Sequence, residues 1–326
     1  MNKHRILVTG ANGFIGRALV CTLLKSNYSI RILTHSSKSA RQLRDEVSTV
    51  LDIYSMNDVI ESEQWEAVFK DVDTVIHCGA QLYPSQKIKD TQQQFMKSNY
   101  DTTINLAKNA INNNVRRFIF LSSMSVFGNM RQYIPFTETT PLIPIDSYGL
   151  SKLEAEKGLR EFSDKIELVI IRPPLVYGPG VKNNFKKLFS LIHKGMPLPL
   201  GAIKNKRHFI GINKLIDFII TCISSEKAKN EEFIVKDNEA LSTTELIQHI
   251  GKAMNKKNRL IPVPSRALEF MLKTAGLSRL AEQLFYNIEI DFSKAKRLLH
   301  WTPPYSLQEE LQLSVEHFLK EKTSDK

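Results

Sequence analysis

Short apolar runs that do not alternate with polar residues dominate the first half of the chain. They are RILVT (5–9), SIRILT (29–34), STVL (48–51), DTVIHC (73–78), RFIFLS (117–122) and ELVIIR (167–172). Unbroken stretches such as ILV, FIFL and LVII read as strands buried on both faces, as in a parallel sheet. Amphipathic segments fill the gaps, for example TQQQFMKSNYDTTINLAKNAI (91–111). This βαβ series predicts an α/β fold built on a doubly wound parallel sheet. After about residue 175 the rhythm changes. YGPG (177–180) and MPLPLG (196–201) punctuate the chain, and mostly helical segments follow as far as SLQEELQLSVEHFL (306–319). The pattern divides the chain into a sheet domain (1–175, with later segments able to return to it), a smaller helical lobe (176–320) and a frayed tail (321–326).

Gly10, Gly13 and Gly16 stand between the first run and the helical pattern FIGRALVCTLLKS. In a strand–turn–helix, Gly10 permits the tight turn, Gly13 lets a pyrophosphate approach the backbone, and Gly16 lets helix and strand pack closely. The helix start then offers amides and partial positive charge to phosphates, so this is a Rossmann-type dinucleotide site. The second run ends LTHSSKSAR, with no acid before Asp45 to grip a ribose 2′-hydroxyl. Ser36, Ser37, Lys38 and Arg41 either meet a 2′-phosphate, which leans the cofactor from NAD toward NADP(H), or simply begin the next helix with Ser36 or Ser37 as N-cap.

SYGLSK (147–152) puts Tyr148 and Lys152 four residues apart, on one face of a helix. An ammonium beside a phenol favours the phenolate and draws its pKa down. A tyrosine so tuned takes a proton from a hydroxyl as hydride leaves, or gives one to a carbonyl as hydride arrives.

Composition narrows the class. With 326 residues, 42% of them hydrophobic and 24% charged, the chain has the make-up of a globular enzyme whose core can hold a cleft. Lys and Arg number 45 against 34 Asp and Glu, a net charge of +11. The positive residues are scattered in pairs such as Arg116-Arg117 and Lys256-Lys257, with no basic arm, which speaks against nucleic acid as a partner. They read as a solvated surface, with steering toward phosphorylated substrates or an anionic membrane face as the alternative. Cys21, Cys78 and Cys222 have no metal-ligand spacing and form no disulfide framework, so a metal-free protein in the reducing cytoplasm is expected. The apolar run behind MNKHR is too short for a signal peptide, and LIDFIITCI (215–223) carries an Asp that disqualifies it as a membrane span.

The spacing Thr-Gly-x-x-Gly-x-x-Gly resembles the signature of the extended short-chain dehydrogenases/reductases, in the NAD-dependent epimerase/dehydratase family. LSSMSVFG (121–128), SYGLSK and IRPPLVYGPG (171–180) extend the resemblance over nearly the whole chain. It implies that Asn12, Phe14 and Ile15 join the glycines at the cofactor. It also implies that Asp52-Ile53 faces the adenine, with a helix cap as the plainer reading of Asp52. In HCGA (77–80), Gly79 and Ala80 lie beneath the cofactor ribose, whereas His77 reads as a satisfied strand-end histidine. Ser36, Asn99, Pro173, Tyr148 and Lys152 complete the implied cofactor set. Ser123, rather than neighbouring Ser122 or Ser125, joins Tyr148 and Lys152 as the catalytic trio and touches substrate. Asn184 and Arg207 fall where the family binds uridine diphosphate, and an arginine fork suits phosphate oxygens.

There are departures from the family pattern. Phe127 replaces a tyrosine, Leu175 stands where many epimerases have an asparagine on the diphosphate, and Gly211-Ile212-Asn213 replaces Val-Asp-Asp. His208 reads as structural, Asp291 or Ser293 as a helix cap, and Trp301 as core. The resemblance is nearest to the UDP-N-acetylquinovosamine 4-dehydrogenase/4-ketoreductase group, then to UDP-glucose 4-epimerases. It implies an enzyme of surface-polysaccharide sugar synthesis acting at C4 of a UDP-sugar. Lacking an acid at 34–38, the chain is expected to hold its cofactor loosely and to carry out net 4-keto reduction or its reverse. C4 epimerisation of a UDP-glucose or UDP-N-acetylglucosamine is the alternative, and a non-catalytic cofactor-sensing module the remote one. The helix after Tyr148 and that at 91–111 resemble the family's dimer pair, implying a homodimer.

Overall fold

In the computed structural model, which describes residues 4–26, 28–46, 52–55, 64–83, 90–128 and 134–324, the apolar runs assemble into one seven-stranded sheet. β1 (Arg5–Thr9) turns into α1 (Phe14–Leu23), followed by β2 (Ser29–Thr34), α2 (Ser37–Glu46), β3 (Asp52–Ser55), α3 (Gln64–Phe69) and β4 (Thr74–His77). A long helix, α4, spans 91–112, and β5 (Arg117–Leu121), α5 (Ser147–Arg160) and β6 (Glu167–Arg172) follow. Then come β7 (Leu175–Tyr177), α6 (Asn183–His193), β8 (Phe209–Gly211), α7 (Ile212–Ser224) and β9 (Glu231–Ile234). The chain ends in α8 (Thr243–Ala253), α9 (Ser265–Thr274), α10 (Ser278–Phe285), α11 (Ser293–Leu299) and α12 (Leu307–Ser324).

The sheet order is β3-β2-β1-β4-β5-β6-β9, with every pairing parallel, and β7 and β8 form a separate parallel pair. Successive strand residues point to opposite faces. Ile6, Val8, Ile32 and Val169 therefore pack under α1 and α7 together with Trp301. Leu7, Val75, Phe118 and Ile170 pack under α4 and α5, against Leu106, Ala107, Ala155 and Leu159. A third core joins β7 and β8 to α6, α8 and α12 through Phe185, Phe189, Ile247 and Leu311.

Two strands go beyond the sequence reading. β3 is DIYS (52–55); the expected STVL (48–51) falls outside the described residues. β9, EEFI (231–234), was not legible as a strand, yet it returns from beyond residue 175 to close the sheet edge beside β6. The predicted helix 91–111 exists, but its middle six residues, Met96–Asp101, are a π-helical turn flanked by α-helical ones.

A buried ion network fastens α5 to this sheet. Glu156, with no exposed surface, accepts from Arg172 Nε (2.9 Å) and Nη2 (2.6 Å), Arg160 Nη2 (2.8 Å) and Ser122 Oγ (2.5 Å). Glu232 of β9 accepts from Arg160 and Arg172 in turn, each at 2.5 Å. Burial alone would raise the Glu232 carboxyl, but the two arginines hold it below its ordinary value. Removing one member of such a set strands a buried charge. Glu156→Leu is expected to cost about 3–5 kcal/mol in denaturant unfolding; a loss below about 1 kcal/mol would show that the network carries no stability.

Candidate active site

Ligands of an open α/β sheet bind at the carboxyl ends of the strands, where the strand order reverses. Here that point lies between β1 and β4. Gly10 has φ +72°, and a Cβ there would sit 2.5 Å from the Gly79 amide nitrogen and 2.7 Å from the Cys78 carbonyl carbon. The turn after β1 is thus pressed onto the turn after β4, and neither tolerates a side chain at Gly10. A Cβ at Gly16 would collide with the Gly10 carbonyl. Gly13 donates its amide to Gly10 O (2.9 Å) and is the N-cap of α1. Phe14 and Ile15 begin that helix and pack on the sheet core.

Asn12 Nδ2 donates to Ser39 O at 3.0 Å, tying the glycine turn to the start of α2. Ser36 Oγ accepts from the Ser39 amide at 3.4 Å and donates to Ser39 Oγ at 3.3 Å. Its hydroxyl is occupied in starting α2, which is the helix-start alternative for this serine, while Lys38 and Arg41 are exposed.

The register corrects the expectation for Asp52 and Ile53. Asp52 lies opposite Arg31 at the first position of β3 and accepts from Arg31 Nε at 2.7 Å, three residues short of the strand's carboxyl end. Ile53 is buried in the core. Ser55, opposite Thr34, reaches the rim instead, and its Oγ is buried without a hydrogen-bond partner.

Gly79 is half-buried and Ala80 exposed beside the glycine turn. Asn99, in the π-helical turn, spends its amide on the chain itself. Its Oδ1 accepts from Gln81 N (2.7 Å), and its Nδ2 donates to Gln81 O (3.1 Å) and Ser151 Oγ (2.9 Å). It therefore clamps the Gly79–Ala80 turn to α5 one turn from Tyr148. His77 is satisfied on both nitrogens. Thr103 gives its hydroxyl proton to Asn99 O (2.5 Å), so His77 Nε2 donates to Thr103 Oγ1 (2.9 Å) and Nδ1 accepts from Thr9 Oγ1 (2.5 Å). Burial holds His77 neutral, its pKa pushed down to about 3.

Ser123, Tyr148 and Lys152 converge at this rim. Ser123 caps the 3₁₀ turn 124–127, accepting from Ser125 N and donating to Ser125 Oγ, both at 3.1 Å. Tyr148 is hydrogen-bonded to Ser123. The Pro173 carbonyl accepts from Met124 N at 3.1 Å and brings the end of β6 to the same place. Lys152 Nζ is buried without a hydrogen-bond partner, 3.9 Å over the Phe120 ring. Burial pushes Lys152 down to about 7 against the opposing pull of Glu156. Tyr148 is pushed up to about 12 by burial, with its bond to Ser123 opposing and Asp146 and Tyr83 adding. The expected downward pull of Lys152 on the phenol is not found, because the same burial drives both groups toward their neutral forms.

On the lobe side, Asn184, at the start of α6, is exposed and donates to Gln283 Oε1 at 3.2 Å. Arg207 Nη1 donates to Gln283 O at 2.6 Å, and its guanidinium lines a cleft with Gly128, Phe136, Tyr286 and Asn287. Asn184 and Arg207 are thus brought together through Gln283 of α10. Leu175 is exposed, Phe127 is buried against Phe136 and under Arg172, and Trp301 is core, donating to Asp217 at 2.8 Å. His208 accepts from Ile290 N at 3.0 Å, and Asp291, just before the N-cap Phe292 of α11, accepts from Ser293 N at 2.8 Å.

The sequence model of the NAD dependent epimerase/dehydratase family matches residues 6–235. The chain belongs to that family. It is similar to the UDP-glucose 4-epimerase of Vibrio cholerae, 38% identical over 322 residues that cover 97% of this chain and 95% of that protein. Among solved structures, it resembles the UDP-glucuronic acid 4-epimerase of Bacillus cereus in complex with NAD (TM-score 0.77, 22% identity, 97% of this chain and 99% of that one). It also resembles the UDP-N-acetylglucosamine 4-epimerase of Methanobrevibacter ruminantium (TM-score 0.78, 21% identity, 98% and 100%). At those identities the structures establish the fold alone. No helix among the described residues is long and apolar enough to cross a membrane.

The residues fit the dinucleotide of this epimerase/dehydratase family. The Gly10–Gly16 cradle has no room for side chains where Gly10 meets Gly79, and Lys152 is a buried donor left unspent. Sequence reasoning missed Ser55, Ser151, Glu156 and Gln283. Only Glu156 left a signal, its i+4 spacing from Lys152 along the same helix face.

A buried ammonium with no hydrogen-bond partner costs stability. Lys152→Met is expected to stabilise the protein at neutral pH by about 1–3 kcal/mol. The unfolded chain holds the Lys152 proton up to its ordinary 10.5, the folded chain only to about 7. Wild-type stability should therefore rise as pH climbs through that window, and the variant should lack this rise. Thermal melts between pH 6 and 10 would check both expectations; a Lys152→Met protein less stable than wild type at pH 7 would contradict the burial reading.

Proposed function

We propose that the chain is a UDP-sugar 4-epimerase that inverts C4 of a UDP-hexose such as UDP-glucose and keeps its NAD between turnovers. The observation that carries this reading is the 38% identity to a UDP-glucose 4-epimerase over 97% of this chain, which runs through the lobe as well as the sheet. When bound, NAD supplies the acceptor and donor of hydride for C4. Tyr148 holds the proton at O4, taking it from the hydroxyl and returning it to the same oxygen. Ser123 fixes that oxygen's direction. Lys152 meets the cofactor ribose and, poised near neutrality, sets the charge beside the phenol. Arg207 and Asn184 grip the diphosphate, with Gln283 holding both in place. NAD rather than NADP(H) belongs to this reading, because Ser36 is spent on α2 and supplies no phosphate contact.

A second reading, net 4-keto reduction, is supported by the absence of an acid at residues 34–38, which favours exchange of the cofactor. The helices α4 and α5, packed closely where a Cβ on Gly158 would lie 2.6 Å from Ile104, are the pair expected at a homodimer contact; sedimentation as a dimer at micromolar concentration is the expected outcome, and a monomer would count against it.

Purified protein mixed with UDP-glucose and no added cofactor is expected to form UDP-galactose. A requirement for stoichiometric NAD(P)H would favour the reductase instead. Tyr148→Phe should lower kcat by about 10²–10⁴-fold with folding intact; wild-type turnover in that variant would remove Tyr148 from the chemistry.

A further inference from the structure

Arg207 lines the cleft together with Tyr286, Asn287 and Ile288. The next residue, His208, ties that wall to the strand carrying Arg207. Its amide donates to Ile288 O and Ile288 N donates to Lys206 O, both at 2.8 Å. The ring of His208 adds a third tie, with Nδ1 3.0 Å from Ile290 N, and its Nε2 lies 2.8 Å from Lys236 Nζ, two residues past β9. Both side chains are buried.

These two ring contacts cannot both be hydrogen bonds while Lys236 is an ammonium. A backbone amide only donates, so Ile290 N occupies the lone pair of Nδ1. An imidazole whose Nδ1 accepts is neutral and carries its proton on Nε2. Burial, with Lys236 adding, pushes the His208 pKa down to about 4, in keeping with a neutral ring. The Nε2 proton therefore faces the lysine nitrogen. An ammonium has three donors and no acceptor, whereas an amine has a lone pair that completes the contact. The groups around Lys236 that favour its charge are Asp237, Glu289, Asp291 and the ring of Phe292, 5.1 Å away. Asp237 is spent on Tyr177, Gly211 and Lys214, and Asp291 accepts from Ser293 N. Burial outweighs them and holds the lysine below its ordinary value. We infer that Lys236 is a neutral amine in the folded protein, accepts the Nε2 proton of His208, and so positions residues 286–290 as the wall of the Arg207 cleft. A proton on Lys236 breaks one of the two ring contacts and loosens that wall. The charge state stands on this geometry alone; its effect on UDP-sugar binding rests on the function proposed above.

NMR of the full chain labelled in lysine and histidine reads the charge state at pH 8. The lysine signal lost in Lys236→Gln is expected at the amine position, and the histidine lost in His208→Gln should be protonated on Nε2 only. An ammonium at Lys236, or a proton on Nδ1 of His208, would overturn the inference. Calorimetric titration with UDP reads the wall. Lys236→Gln, whose amide oxygen can still accept from Nε2, should retain UDP binding. Lys236→Arg keeps the charge but cannot accept, and should bind UDP about tenfold more weakly. Wild-type affinity should fall more steeply than that of Lys236→Gln as pH is lowered, which decides the matter if Lys236→Arg does not fold. Arg tolerated and Gln not, or equal pH dependence in wild type and Lys236→Gln, would contradict the positioning role. Should no form bind UDP, the diphosphate role of Arg207 fails and the positioning role with it, while the NMR still decides the charge state.

Discussion

Everything at the rim depends on a carboxylate that never sees solvent. Glu156 is one helical turn beyond Lys152 on α5, and its two oxygens are held by Arg172 from β6, Arg160 from its own helix and Ser122 from the end of β5. A buried charge is tolerated only when its partners are fixed around it. The same contacts that neutralise Glu156 therefore set the height and rotation of α5 over the sheet. Tyr148 and Lys152 ride on that helix, and Ser123 follows Ser122 directly, so the ion network shares one frame with these three residues. Asn99 adds a second tie, from the π-helical turn to Ser151 and to the loop beneath the cofactor cradle.

Within that frame, burial does more than charge pairing. Lys152 and Tyr148 are both shifted toward neutrality, one down to about 7 and the other up to about 12. A phenol so far from its phenolate is a poor base until positive charge arrives next to it, whereas an ammonium near half-protonation responds to small changes in its surroundings. The site is thus built to be completed by what binds there.

Much of this was legible along the chain, and what was not has a common cause. Runs such as RILVT and ELVIIR announce buried parallel strands because nothing polar interrupts them. The glycine turn and the Tyr148–Lys152 spacing are likewise local patterns, readable without knowing what lies across the fold. The two strands that sequence reading did not name both begin with acids. Asp52 of DIYS is paired with Arg31, and Glu232 of EEFI with Arg160 and Arg172. Each is only four residues long, with two apolar positions at most side by side, so neither shows the unbroken apolar run that marks the other strands in one dimension. Register, set by pairing with β2, likewise decides which residue of β3 reaches the rim, and it brings Ser55 there rather than Asp52. The clamp made by Asn99 and the meeting of Asn184 with Arg207 through Gln283 are tertiary facts with no linear trace.

The central claim is that this rim returns to C4 of a UDP-sugar the hydride it removed, with Tyr148 keeping the proton account at O4. UDP-glucose deuterated at C4 measures this directly. If the purified protein converts it, without added cofactor, to UDP-galactose with the deuterium still at C4, the claim holds. Deuterium lost from C4 and recovered in free reduced dinucleotide would contradict it.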